Sequence, residues 1–389
     1  MTTRGETLQL ATRGSDLALR QAATVRDSLS SRRLSVELVE VETTGDQIRD
    51  ELIHRLGKTG AFVRSLDEKV LDGELDAAVH SMKDMPTERP ERLVVAAVPE
   101  RAAAEDVLVT PDGRSLDELP EGATVGTSSL RRKAQLLAER DDLTVEPLRG
   151  NVDTRIAKLL APSLQQEHQE RHEAEQEHKG DAGDGDDADL DADEEEEHPY
   201  DRTVEEWFDD LTEFERRAME RDPDVEYDAI VLAKAGLHRA GLTRYVGMSD
   251  LDPDRFVPAP GQGALAVTAV DGDLALDIKD RLDDPQTRVE TTVERTILEE
   301  LGGGCVAPIG VHAHLEGGVV HTRVRVLSQD GTEEVSVGRD IPAEYHIDAA
   351  QDLAAELAEQ GADDLIAEAK RDSTEADDDA STAREEDEE

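Results

Sequence analysis

Five arginines of this strongly acidic chain stand where loops leave candidate strands. They are Arg13 in ATRGSD, Arg131 and Arg132 in GTSSLRR, Arg149 at the close of TVEPLRG, and Arg155 one turn into NVDTRIAKLL. Guanidinium forks hold carboxylates through paired hydrogen bonds. Ser128 or Ser129 can cap a helix whose exposed N–H groups already favour an anion. Lys83 and Asp84 in HSMKDMP follow the strand-like DAAVHS. A carboxylate there can move a proton or stabilise a developing cation, although from composition alone a plain turn aspartate before Pro86 is the simpler reading. Cys305, the single cysteine, follows three glycines in LGGGCVAPIG. Close approach to its sulfur fits covalent attachment; a small residue in a tight loop would read the same way. The histidines show no ligand pair at regular spacing, so no metal site is expected.

Something must position these groups. LQLAT, VELVEVET and DAAVHS read as strands, with helices from SDLALRQAATVRDSLS and from FVRSLDEKVLDG, which stops at Gly73. A second series runs EDVLVT, ATVGTS, SLRRKAQLLAER, TVEPLRG, NVDTRIAKLL and YDAIVLAKAG. Strand and helix in alternation predict two open α/β lobes, whose strand ends face a ligand crevice where Arg13, Arg131, Arg132, Arg149 and Arg155 converge. PAPGQGALAV (258–267) lacks the spacing of a P-loop or dinucleotide fingerprint and reads as a crossing between lobes. The last hundred residues differ. A long helix, DPQTRVETTVERTILEEL, precedes IGVHAHLE, GVVHTRVRVLS and EEVSVGRDI, which predicts a C-terminal α+β domain with a three-stranded antiparallel sheet.

Composition narrows the function. The 389 residues hold 43 Lys+Arg against 93 Asp+Glu, a formal charge of -50, which repels a nucleic-acid backbone. One cysteine excludes an internal disulfide, no run matches a spanning helix, and the N-terminus has no secretory pattern, so a cytoplasmic protein without membrane contact is expected. Only 9 of the 43 basic residues are lysine. Because acids also pepper the periodic segments, the surface reads as adapted to high salt. Residues 181–197 carry eleven acids and no base. Residues 163–222 are therefore expected to be an acidic disordered insertion, with WFDDLTEF as a short helix at most, and 371–389 a disordered tail.

Taken in order, ATRGSDLALRQA, GAFVR, HSMKDMP, VGTSSLRRKAQL, LRGNVDTR, YDAIVLAKAGLHR, APGQGA and ERTILEELGGGCVAPIG resemble the porphobilinogen deaminase (hydroxymethylbilane synthase) family, in a halophilic archaeal form. The resemblance spans nearly all of residues 7–370. It implies two periplasmic-binding-protein-like lobes, lobe 1 from 1–100 and 260–283 and lobe 2 from 101–162 and 223–259, with a cofactor-carrying domain over 284–370. It implies an enzyme that polymerises four porphobilinogens, with loss of ammonia, into the linear tetrapyrrole hydroxymethylbilane.

By the same resemblance Cys305 holds a dipyrromethane cofactor as a thioether, and Asp84 is the catalytic carboxylate, also contacting the cofactor. Lys83, Ser129, Arg131 and Arg132 bind the cofactor. Arg13, Ser15, Phe62, Arg149, Arg155, Arg239 and Gln262 bind substrate. Ala307 departs from the family pattern, which more often has a β-branched residue there. Nothing points to an obligate interface, so a monomer is expected. The alternative is a two-lobed binding module for an anionic dicarboxylate, which leaves Cys305 and Asp84 without a task.

Overall fold

A computed structural model describes residues 6–32, 34–41, 61–181, 200–222, 225–304 and 307–372. Strand β1 (Glu6–Thr12) places Leu8 and Leu10 on one face and Ala11 on the other, and all three are buried. It leads into α1 (Asp16–Leu29) and then β2 (Leu34–Glu40), which pairs with it in parallel. Helix α2 (Ala61–Leu71), β3 (Ala77–Ser81) and β4 (Leu93–Ala97) follow. The chain then crosses through 98–105 and builds β5 (Asp106–Thr110), β6 (Thr124–Gly126), α3 (Leu130–Glu139), β7 (Thr144–Glu146) and α4 (Val152–Asp181). Two short helices, α5 (Val204–Asp210) and α6 (Glu213–Met219), precede β8 (Ala229–Ala233), α7 (Lys234–Ala240) and β9 (Gly247–Asp250). A second crossing, 251–264, returns the chain to β10 (Leu265–Val270) and α8 (Asp273–Leu282).

The two five-stranded sheets have the same plan, β2-β1-β3-β10-β4 and β7-β6-β8-β5-β9. In each, three parallel strands are followed by a strand antiparallel to its neighbours, and that strand arrives by a crossing. The paired α/β lobes thus share one topology. The inner strands β3, β5, β8 and β10 are short and buried on both faces, as sheets covered by helices require. The third unit packs α9 (Pro285–Glu300), α10 (His346–Glu359) and a helix over 362–372 on the antiparallel sheet β11 (Ile309–Glu316), β12 (Val319–Leu327), β13 (Glu334–Pro342). Helix α9 starts on an aspartate cap, Asp284, whose side chain accepts from Thr287 N at 2.7 Å, with Pro285 in the first turn. Val289, Val293 and Ile297 recur every four residues and face the domain core.

One expectation fails. Much of 163–222 is helical: α4 runs on to Asp181, and α5 and α6 pack beside it, while 182–199 lies outside the described residues. The physical reason is local pairing. A helix polar on every side is held by side chains four apart, here Gln166 to Glu170, Gln169 to Glu173 and Arg171 to Glu167. Phe214 and Ala218 join the core formed by Ile156, Leu160 and Tyr227, and Gln165 Nε2 donates to Met219 O and Arg221 O. Among the described residues no helix is long and apolar enough to cross a membrane.

Candidate active site

The crevice begins with a residue that sequence reasoning passed over. Asp106 opens β5 at the end of the first crossing and is 1% exposed. Arg131 Nη2 donates to its Oδ2 and Arg132 Nη2 to its Oδ1, each at 2.7 Å. Burial pushes the Asp106 carboxyl up, but the two guanidinium charges and their hydrogen bonds outweigh it and hold it well below the carboxylate range. Ser129 caps α3, its Oγ accepting from Arg132 N at 3.5 Å. The first helical turn thus carries both arginines toward β5.

The two arginines then diverge. Arg132 Nη1 donates to Val231 O at 3.2 Å, and its charge reaches Lys83 and Arg155 in the crevice. Arg131 Nη1 donates to Val257 O at 2.8 Å and Gln135 Oε1 at 3.3 Å. Its terminal donors are occupied inside the protein, joining α3 to the second crossing. Convergence of Arg131 on the crevice, expected from the sequence, does not occur.

Opposite, β3 ends in a 3-10 turn, Met82–Asp84. Met82 and Met85 are buried, so the intervening Lys83 and Asp84 are presented outward, Lys83 half-buried and Asp84 exposed. Desolvation pushes the Lys83 ammonium below its usual value; the carboxylates of Asp84 and Asp106 oppose that shift, and Arg132 and Arg155 add to it. Arg155 is lowered to about 10, first by burial and then by the like charge of Arg132, with Arg149 adding and Asp84 opposing. Lys83, Asp84, Arg132, Arg149 and Arg155 therefore share one electrostatic environment where the lobes face each other. Gly150 makes the last two possible. Its φ is +110°, and a Cβ there would stand 2.5 Å from Thr154 Cγ2. The chain reverses there between Arg149 and α4, and Arg155 Nε donates back to Gly150 O at 2.8 Å.

Other candidates fall elsewhere. Gln262 is 1% exposed, and its Nε2 donates to Ala104 O and Asp106 Oδ1 at 2.6 and 2.8 Å, so it fastens one crossing to the other. Arg239 Nη2 donates to Gly263 O at 2.8 Å, and burial pushes its guanidinium down. The Gln262 amide is thus spent on the crossings, where the sequence suggested substrate contact, while Arg239 reaches the second crossing through one of its donors. Ser15 caps α1 through Ala18 N at 3.3 Å, just beyond Arg13 at the carboxyl end of β1. Phe62 lies in the first turn of α2, with its side chain outside the described atoms.

Cys305 lies outside the described residues, but its approach is defined. Helix α9 ends at Glu300; Gly303 N donates to Leu298 O at 2.9 Å, and Ala307 N to Gly304 O at 3.3 Å. A Cβ on Gly303 would stand 2.4 Å from Ile309 Cδ1 and 2.8 Å from Leu298 Cδ1, so any larger residue there would have to displace those two side chains. Ala307 is buried in the domain core. Among the described residues no three His, Cys, Asp or Glu side chains gather as a metal-binding group.

Comparison with known proteins agrees along most of the chain. Residues 8–166 and 214–277 match the family described as porphobilinogen deaminase, dipyromethane cofactor binding domain, and 289–360 match porphobilinogen deaminase, C-terminal domain. A probable porphobilinogen deaminase of Halobacterium salinarum is 53% identical over 93% of this chain and 98% of that one. A porphobilinogen deaminase of Sulfurimonas denitrificans is 34% identical over 93% and 97%. Among solved structures, the ectoine-binding protein TeaA of a TRAP transporter aligns at 10% identity and a TM-score of 0.33, covering 96% of this chain and 100% of that one.

Proposed function

The chain belongs to the porphobilinogen deaminase family, and from that premise we propose which of its residues carry the reaction. The enzyme is a transferase of tetrapyrrole biosynthesis, joining four porphobilinogens into hydroxymethylbilane with loss of ammonia. One observation supports the assignment most directly: the exposed carboxylate of Asp84 acts on both Lys83 and Arg155, the two cations that the charge of Arg132 also reaches.

A dipyrromethane belongs to the family's first domain. The residues fit such a group, since desolvated guanidinium groups crowded together raise one another's energy and are relieved by carboxylates. Cys305 anchors it by a thioether, and Lys83, Ser129, Arg132 and Arg155 hold its side-chain carboxylates. When bound, it supplies the pyrrole carbon to which the first substrate unit is joined. Arg13, Arg149 and Arg155 orient the incoming carboxylates, each charge-assisted hydrogen bond contributing about 1.5–3 kcal/mol. Asp84 accepts hydrogen bonds from pyrrole N–H groups, stabilises the cation left when the aminomethyl C–N bond breaks, and assists transfer of the proton released as the new C–C bond forms. Arg131 and Gln262 act indirectly, by fixing Asp106 and Arg132.

The test pairs mass with rate. Intact wild-type protein should exceed its chain mass by a two-pyrrole adduct, and Cys305→Ala should lose both the adduct and bilane formation. An adduct on Cys305→Ala would overturn the anchor. We also propose that the enzyme is a cytoplasmic monomer adapted to high salt, on the strength of its -50 formal charge and its preference for arginine over lysine. A binding module for a dicarboxylate would use the arginines but leave Asp84 and Cys305 idle.

A further inference from the structure

Arg295 follows Glu294 on α9 and reaches out of the third domain to a single turn of lobe 1. Its Nη1 donates to Met82 O at 3.3 Å and Met85 O at 3.2 Å, and its Nη2 to Pro86 O at 2.7 Å. Those carbonyls bracket Lys83 and Asp84. The second crossing holds the same turn from another side: Met82 N donates to Ala264 O at 3.1 Å, and a Cβ on Gly261 would stand 2.8 Å from Met82 Cγ. The turn itself is three residues long, with one internal backbone bond, Met85 N to Met82 O. So short a turn has little stiffness of its own, and an exposed side chain such as Asp84 gains none from packing.

We propose that Arg295 is a positioning residue for Asp84: by gripping three carbonyls of the 82–86 turn it fixes where the carboxylate stands and ties that position to the helix that leads into the Cys305 loop. The inference rests on the reading of Asp84 as the catalytic carboxylate. A planar guanidinium suits the task because its donors spread in a fixed fork, whereas an ammonium is a compact point with rotating donors. The three bonds from Arg295 to the turn all end on backbone carbonyls, so they fix geometry without altering the side chains that meet the substrate. Displacing a reacting group by about 1 Å costs on the order of 100-fold in rate.

Arg295→Ala, Arg295→Lys, Asp84→Asn and the double variant Arg295→Ala/Asp84→Asn separate the possibilities, with kcat, KM for porphobilinogen, adduct mass and unfolding midpoint read for each. Arg295→Ala should keep the adduct, lower kcat by roughly 10- to 100-fold and leave KM within about threefold. Arg295→Lys should recover part of kcat. In the double variant the Arg295 effect should largely vanish, because a carboxylate that is absent cannot be misplaced. Unchanged kcat in folded Arg295→Ala, or a full multiplicative loss on top of Asp84→Asn, overturns the inference while the role of Asp84 stands. Near-normal turnover by Asp84→Asn overturns both. Should Arg295→Ala fail to fold, Arg295→Lys decides: lower kcat at an unchanged midpoint supports positioning, and wild-type kcat refutes it.

Discussion

Arg101 and Glu294 meet through two parallel hydrogen bonds, Nη1 to Oε1 at 2.7 Å and Nη2 to Oε2 at 3.0 Å, with both side chains withdrawn from solvent. Around that pair the three units of the molecule come together. Glu294 also accepts from Gly261 N at 2.7 Å and Ala313 N at 2.9 Å, while Arg101 Nε donates to Gln262 O at 2.8 Å. Both crossings, α9 and β11 are thus fastened at one carboxylate.

Glu294→Gln keeps the shape and removes the charge opposite Arg101. Breaking a buried pair from one side costs about 3–5 kcal/mol. Thermal unfolding should therefore fall by at least about 5 °C, with the third domain loosening from the crossings. A midpoint within about 1 °C of wild type, where ordinary surface changes fall, would mean that the junction is held by other contacts.

Asp106→Asn should destabilise the protein at neutral pH by about 3–5 kcal/mol, because Arg131 and Arg132 lose their shared counter-charge. The pH dependence has a definite sign. The Asp106 carboxyl is held below its unfolded value by those arginines, so its contribution is fully present above about pH 4 and is lost as pH falls toward the folded value. The gap in unfolding midpoint between wild type and variant should accordingly narrow below pH 4. A gap that widens with acid would refute the account.

Arg131→Leu and Arg155→Leu should fail in different ways. The former removes one partner from buried Asp106 and should lower the unfolding midpoint. The latter removes a desolvated charge that Arg132 and Arg149 repel, so its midpoint should hold or rise while the KM for porphobilinogen increases roughly 10- to 100-fold or elongation stalls. Equal loss of stability in both would erase the distinction between an inward and a crevice arginine.

That distinction was invisible in LRRK. Adjacent residues in the first turn of a helix differ by rotation about its axis, and only the position of the residue they fold onto separates them. Asp106 gave no signal either, as an acid at the start of EDVLVT in a chain with 93 acids. The lobes were legible because strand and helix alternate with clear apolar runs, and the Lys83–Asp84 turn because it follows a buried strand. The polar continuation of α4 was not, since its order comes from pairs four residues apart and carries no apolar stripe.

Those pairs set a limit on what can be removed. Replacing 182–199 with about six Gly/Ser residues should retain activity: Arg171 stacks on Tyr200 at 4.2 Å, and ten residues of helix from there to Asp181 span ~15 Å, within reach of such a linker. Removing 165–220 should instead lower stability, because Phe214 and Ala218 leave the lobe 2 core. Activity and unfolding midpoint of the two deletions, measured side by side, check both statements.

Salt should act on stability before it acts on binding. With a formal charge of -50, repulsion is relieved as the Debye length shrinks from about 30 Å at 0.01 M to about 3 Å at 1 M. Unfolding midpoint and bilane formation should rise together between about 0.05 and 3 M KCl. A stability maximum at the lowest salt would overturn the high-salt reading and leave the enzyme assignment untouched.

The twice-crossed path also dictates an order of assembly on the ribosome. Every strand of the second sheet lies between Asp106 and Asp250, so that lobe can close its hydrogen bonds as one stretch of nascent chain. The first sheet cannot. Its strand Leu265–Val270 inserts between β3 and β4, pairing Val267 with Val79 across 188 residues of sequence, and such distant pairing is slow and leaves edges open meanwhile. Until that strand emerges, β3 has no partner on the side where Met82 N will meet Ala264 O. The amino-terminal lobe, synthesised first, is therefore completed second, and the Asp84 turn is among the last pieces of the molecule to find its place.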